Sequence, residues 1–112
     1  MTDYVKIIPL QANPYYETAV ELEGQQFRII FRWSDRLSCY FFDLLKDDGT
    51  KILLDSRLLL GENLLSNTDL TEYGITGFFR TILYSENNEG VVITSPSDVF
   101  QYYFLTYLWV ES

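Results

Sequence analysis

Histidine is absent from the 112-residue sequence, and cysteine occurs once, at Cys39. Without histidine, neither a Ser-His nor a Cys-His nucleophile pair can be built, and zinc lacks its commonest ligand. A single cysteine excludes an internal disulfide and fits a reducing compartment, and its apolar surroundings predict a buried structural thiol. The glycines are scattered singly, so the sequence contains no phosphate-binding loop. We therefore expect a protein that is not an enzyme and has no catalytic residues, metal or cofactor.

The sequence also contains few basic residues and no long apolar run. No run approaches the ~20 residues needed to span a bilayer, and the N-terminus lacks the basic start and apolar run of a signal peptide. Sixteen acidic residues against eight basic ones give a net charge of −8. An acidic surface repels phosphate backbones and anionic lipids, so we expect neither direct nucleic-acid binding nor membrane binding. These features predict a soluble protein synthesised in the cytoplasm.

The sequence does contain 47% hydrophobic and 17% aromatic residues, divided by closely spaced turn signals. Glu23-Gly24 and Asp47-Asp48-Gly49 are typical of hairpin turns. Between them, apolar residues alternate with polar ones from Phe27 to Trp33, which indicates a strand with one wet face. Further strands are predicted over residues 78–84 and 91–94.

Two features complete the predicted architecture. Ser95, Pro96 and Asp98 form a helix-start pattern, which predicts at most one short helical turn near residues 96–101. The chain length fits one domain spanning residues 1–112. We therefore predict an all-β fold, a single-domain antiparallel β-sandwich or barrel of about six to eight short strands.

Two segments, Cys39–Leu45 and Tyr103–Val110, are largely apolar on both faces of the predicted strands. Such a strand needs cover from a second layer of the same chain or from another chain. The same residues are therefore candidates for the core and for an interface, in which aromatic side chains provide rigid contact area. The candidate interface residues are Phe41, Leu45, Leu58, Leu60, Tyr103, Tyr107 and Trp109.

Most of the chain also resembles a known family. Residues 7–33, IIPLQANPYYETAVELEGQQFRIIFRW, join an Ile-Pro-Leu segment, a polar turn, a Gly-Gln turn and an amphipathic strand. Residues 39–65, CYFFDLLKDDGTKILLDSRLLLGENLL, carry an aromatic strand with Asp-Leu, an Asp-Gly turn and a leucine segment around Gly61. A Pro-Ser-Asp turn and an apolar final strand follow. In this order, these segments resemble the phage baseplate plug family.

The resemblance implies a structural component of a bacteriophage contractile-tail baseplate, a plug in the central hub near the distal end of the tail tube. The implied partners are other hub and tail-tube proteins and copies of the chain itself around the tail axis. The implied location is the virion, after synthesis in the host bacterial cytoplasm.

Two alternatives to this function stay open from the residues alone. One is a small acidic protein-binding module, similar to an inhibitor, that covers a basic surface. The other is a sugar-binding β-sandwich that stacks sugars on Tyr15, Tyr16 or Trp109.

Overall fold

Eight antiparallel strands and one short helix form the part of the chain that the computed structural model describes, residues 2–58, 63–64, 74–84, 90 and 92–111. The elements are β1 (Thr2–Ile8), β2 (Tyr15–Leu22), β3 (Gln25–Ser34), β4 (Cys39–Lys46), β5 (Lys51–Arg57), β6 (Asn63–Leu64), β7 (Phe78–Leu83), α1 (Pro96–Tyr102) and β8 (Tyr103–Glu111). The all-β class and the range of strand numbers predicted from the sequence are confirmed.

The strands form two four-stranded sheets. In the first sheet the order is β1-β8-β7-β6, so the first and last strands of the chain pair with each other. In the second sheet the order is β2-β3-β4-β5, a meander in which each strand pairs with the next along the chain. The architecture is therefore the sandwich rather than the barrel.

One buried cluster fills the space between the sheets. The second sheet contributes alternate residues of its strands to the cluster: Tyr16, Val20, Leu22, Phe27, Ile29, Phe31, Tyr40, Phe42 and Leu44. The first sheet contributes Ile8, Phe79, Leu105 and Tyr107. Because strand side chains alternate between faces, this set fixes which face of each strand points inward. Cys39 is buried as a free thiol, as predicted.

Both predicted hairpin turns are present. Glu23 and Gly24 have φ of 52° and 81°, the two positive values that a two-residue turn between twisted strands requires. The turn between β4 and β5 is closed by Lys46 N donating to Thr50 O at 2.8 Å and by Gly49, with φ of 92°. The first turn sets the register between β2 and β3, and the second joins β4 to β5.

The helix begins where predicted and runs for seven residues. Ser95 is its N-cap, with Oγ accepting from the amide of Asp98, and Pro96 is the first helical residue. The predicted return strand over residues 91–94 is wrong for the described residues 92–94, which have no strand pairing. The physical reason is local: the amide and hydroxyl of Thr94 donate to the Asp98 carboxylate at 3.0 and 3.1 Å, so this segment forms part of the helix cap.

Candidate functional site

The carboxylates of the described residues make local structural bonds. Hydrogen bonds from the side chain and amide of Thr50 hold the pKa of Asp48 below its usual value. Hydrogen bonds from the amide and side chain of Thr94 do the same for the pKa of Asp98. Within residues 2–58, 63–64, 74–84, 90 and 92–111, no group of three or more Asp, Glu or Cys side chains is placed to hold a metal ion. In the same ranges, no helix is long and apolar enough to cross a membrane.

The candidate interface residues predicted from the sequence differ in how far they are buried. Leu58 and Tyr107 are 2% and 0% exposed, and therefore belong to the core of the chain. The half-buried members are Phe41, Leu45, Tyr103 and Trp109. Leu60 lies outside the described residues. The structure therefore does not gather the six described candidates into one surface, and the role of all seven in contacts stays a prediction.

A polar cluster ties the two sheets together at one end of the sandwich. The Tyr107 hydroxyl donates to the Glu23 carboxylate and accepts from Gly77 N at 2.8 Å. The amide and hydroxyl of Thr76 also donate to Glu23. Partial burial alone would raise the pKa of Glu23, but these hydrogen bonds outweigh it and lower that pKa. Burial, followed by the bond to Glu23, raises the pKa of Tyr107 well above its usual value.

The outward face of the second sheet mixes apolar and charged residues. Arg32 Nη2 donates to Asp43 Oδ1 at 2.8 Å and also to Asp55 Oδ1. The Asp55 amide donates to the same Asp43 oxygen at 2.8 Å. Phe41 and Leu45 lie on this face, each opposite basic residues of both neighbouring strands. The outer side of β4 is thus covered partly by long charged side chains of its own sheet.

The outward face of the first sheet has a different composition. The strand pairing places the outward side chains in three rows across β1, β8 and β7. The first row is Val5–Leu108–Phe78, the second is Ile7–Thr106–Arg80 and the third is Phe104–Ile82. We call the six hydrophobic residues of these rows (Val5, Ile7, Phe78, Ile82, Phe104 and Leu108) the outer apolar face. Val5 and Ile7 are each 58% exposed and Phe78 is 41% exposed. Arg80 is the only charged residue in these rows.

A cavity of about 260 Å³ adjoins the outer apolar face at its third row. Its lining is mostly apolar and includes Ile7 and Phe104 from that face, with Tyr84 and Phe100 beside them. The rings of Tyr84 and Phe104 lie 5.0 Å apart, centroid to centroid. Phe100, on α1, is 51% exposed. The cavity is therefore an apolar depression at the edge of an apolar surface.

Sequence reasoning missed the outer apolar face, although one signal for it was present. Val5 and Ile7 alternate with Tyr4 and Lys6, which is a strand pattern with an apolar face. Only the pairing of β1 with β8 shows that this face points away from the core.

The tyrosines and tryptophan that suggested sugar binding do not form one platform. Tyr15 is exposed on the outward face of the second sheet, whereas the neighbouring Tyr16 is buried between the sheets. Trp109, on the first sheet, stacks on Tyr4 at 5.2 Å.

Comparison with known proteins identifies a family. The protein-family model described as cyanophage baseplate Pam3 plug gp18 matches residues 5–108 of the chain. No curated protein matches the chain. The matched range contains all three rows of the outer apolar face, from Val5 to Leu108. Neither the inhibitor-like nor the sugar-binding alternative gains support from this match.

Proposed function

The chain belongs to the cyanophage baseplate plug family, and we propose that it fills the central hub of the baseplate near the distal end of the tail tube. As a baseplate plug it is a structural protein of the virion tail, in association with other baseplate components. The observation that carries the proposal is the family match over residues 5–108, nearly the whole chain.

The proposed role is mechanical, without catalysis, metal or cofactor. Three of the described carboxylates support this role: Asp48 and Asp98 accept hydrogen bonds within a turn and a helix cap, and Glu23 accepts hydrogen bonds that connect the two sheets. The protein would be synthesised in the host bacterial cytoplasm before assembly. The net charge of −8 favours protein partners over nucleic acid or anionic membranes.

The proposed partners are hub and tail-tube proteins, with copies of the chain arranged around the tail axis. Residues 1–112 would act as a single β domain, since one buried cluster includes residues of both sheets. Among the predicted contact residues, Phe41, Leu45, Tyr103 and Trp109 retain exposed area for such contacts. Light scattering of the purified protein tests self-assembly, and a strict monomer at high concentration would restrict the contacts to other proteins.

Antibody labelling of purified virions, imaged by electron microscopy, tests the proposed location. We expect label at the distal end of the tail, with lysate of infected cells as the control for antibody recognition. Abundant protein in the lysate together with unlabelled particles would contradict a plug role.

A further inference from the structure

The two outward faces of the sandwich differ in how their apolar residues are covered. On the second sheet, the ion pairs of Arg32 with Asp43 and Asp55 lie beside the apolar residues. On the first sheet, Arg80 is the only charged residue in the three rows that carry the outer apolar face. Val5, Ile7 and Phe78 are exposed there and the other three residues are half-buried, and an exposed apolar patch of this kind marks interaction sites in water-soluble proteins. Aromatic residues and arginine are also enriched at protein interfaces.

We propose that the outer apolar face, with the adjoining cavity, docks the protein onto a different protein of the baseplate. The partner would present an apolar surface with one carboxylate opposite Arg80 and a bulky apolar side chain that enters the cavity. The inference rests on the proposed function and specifies which surface performs it.

Charge favours a different protein over a second copy as the occupant. Among the described residues, no carboxylate lies within ion-pair distance of Arg80. Two copies that met through this face would bring two arginines into an apolar contact without a described acid to pair them, which is costly. A partner that supplies a carboxylate opposite Arg80 removes this penalty.

The rows of the sheet place the cavity and Arg80 within reach of one partner surface. Arg80 and Ile7 share the second row, and Phe104 lies in the third. Successive rows are two residues apart along a strand, about 7 Å. A carboxylate opposite Arg80 and an apolar side chain inside the cavity can therefore come from two neighbouring residues of the partner.

The size of the surface fits the centre of an ordinary interface. Three rows and the cavity extend roughly 20 Å along the strands, and three strands with their side chains extend roughly 15 Å across them. The resulting area, on the order of 300 Å², is smaller than the roughly 800 Å² that each partner commonly buries. A polar rim around the apolar centre would supply the remainder, as is usual in such interfaces.

Photo-crosslinking within assembled particles tests the proposal. Tyr84, beside the cavity, is replaced by p-benzoylphenylalanine, and Leu37, in the turn between β3 and β4, is replaced in a control. Both side chains are exposed, at 62% and 49%. Virions are purified and irradiated, and mass spectrometry identifies the crosslinked protein and residue. From Tyr84 we expect an adduct with another baseplate protein, at an apolar surface that includes a carboxylate, and at least fivefold less adduct from Leu37.

Charge reversal provides the second arm of the test. Arg80→Glu should reduce incorporation into virions at least fivefold, and replacement of the partner's carboxylate by lysine should restore it. Arg36→Glu makes the same change of charge at an exposed turn residue and should leave incorporation unchanged. Circular dichroism melting of each purified variant separates loss of docking from loss of folding. If a variant does not fold, the crosslinking experiment alone tests the proposal.

The possible outcomes separate the two proposals. Incorporation of the protein into virions, with the Tyr84 adduct formed to a second copy of the chain, would overturn the inference and leave the plug role intact. So would a stronger adduct from Leu37, an adduct site without a neighbouring carboxylate, or full incorporation of Arg80→Glu. Absence of the wild-type protein from virions would overturn the plug role itself, and the inference with it.

Discussion

Tyr107→Phe removes one oxygen atom from the polar cluster that ties the two sheets together. The Tyr107 ring has no exposed area, and its hydroxyl bonds both Glu23, in the turn before β3, and Gly77, just before β7. Phenylalanine keeps the ring packed against Phe79 and leaves almost no cavity. The loss of a hydrogen bond to a charged group, together with an amide left without its partner, should lower the free energy of unfolding by about 2 kcal/mol.

This contribution should depend on pH, because the pKa of Glu23 is lower in the folded protein than its ordinary value of 4.5. A carboxyl with a depressed folded pKa stabilises the fold at pH values above its unfolded pKa. That stabilisation is lost as the pH falls through the folded pKa. Since the Tyr107 hydroxyl donates to the ionised carboxylate, the energetic coupling between these two residues should weaken below pH 4.5.

A double-mutant cycle measures this coupling. Wild type, Tyr107→Phe, Glu23→Gln and the double variant are unfolded in urea, in steps from pH 7 to pH 3, with tryptophan fluorescence as the signal. Trp109 lies 5.5 Å from the Tyr107 ring, so the fluorescence reports on this region. We expect a coupling energy of about 1–2 kcal/mol at pH 7 that decreases toward pH 3.

Tyr15→Phe is the matched control, since Tyr15 is exposed and its hydroxyl has no hydrogen bond within the described part of the chain. Its unfolding free energy should stay within about 0.5 kcal/mol of wild type. A change of less than about 0.5 kcal/mol for Tyr107→Phe would refute the assignment of this cluster as a connection between the sheets. A coupling energy that stays constant with pH would refute the role of the Glu23 charge.

Three further substitutions test other details of the fold by the same urea measurement. Gly77→Ala should lower the free energy of unfolding by about 3 kcal/mol, because the added Cβ would collide with the backbone of β8. An unfolding midpoint in urea equal to that of wild type would contradict this close approach. Tyr40→Phe should lower the free energy of unfolding by about 1 kcal/mol and speed proteolysis of the loop before β2, since the buried hydroxyl donates to Asn13 O at 2.5 Å. Unchanged proteolysis would argue against the role of this hydrogen bond in holding the loop. Ser95→Ala should lower the free energy of unfolding by about 1 kcal/mol through loss of the helix N-cap. Ser97→Ala, at an exposed helical position, is the control and should lower it clearly less, and equal decreases would argue against the cap.

Local sequence signals predicted the second sheet well. The alternation from Phe27 to Trp33 gave the inward face of β3, because the other face is wet and the two-residue period has one consistent interpretation. The turns at Gly24 and Gly49 require positive φ, which glycine adopts without strain. Since this sheet is a meander, pairs of strands adjacent in sequence define it completely.

The first sheet could not be predicted in the same way, because β1 pairs with β8 from the opposite end of the chain and a helix separates β7 from β8. A strand that is apolar on both faces has two possible inward faces, and only the partner strands select one. The candidates Tyr103, Tyr107 and Trp109 share one face of β8, and the pairing with Phe79 and Ile8 turns that face inward. The residues between them point outward, and the sequence carries no mark that distinguishes the two sets.

The composition of the outer apolar face is difficult to explain by the stability of the isolated chain. Val5, Ile7 and Phe78 point away from the core, so replacing them by polar residues would remove little buried area. The chain has sixteen acidic residues, and the Arg32–Asp43 ion pair shows that its strands accept charge on an outward face. Hydrophobic side chains kept outside the core of such an acidic protein therefore favour a surface that another protein covers after assembly.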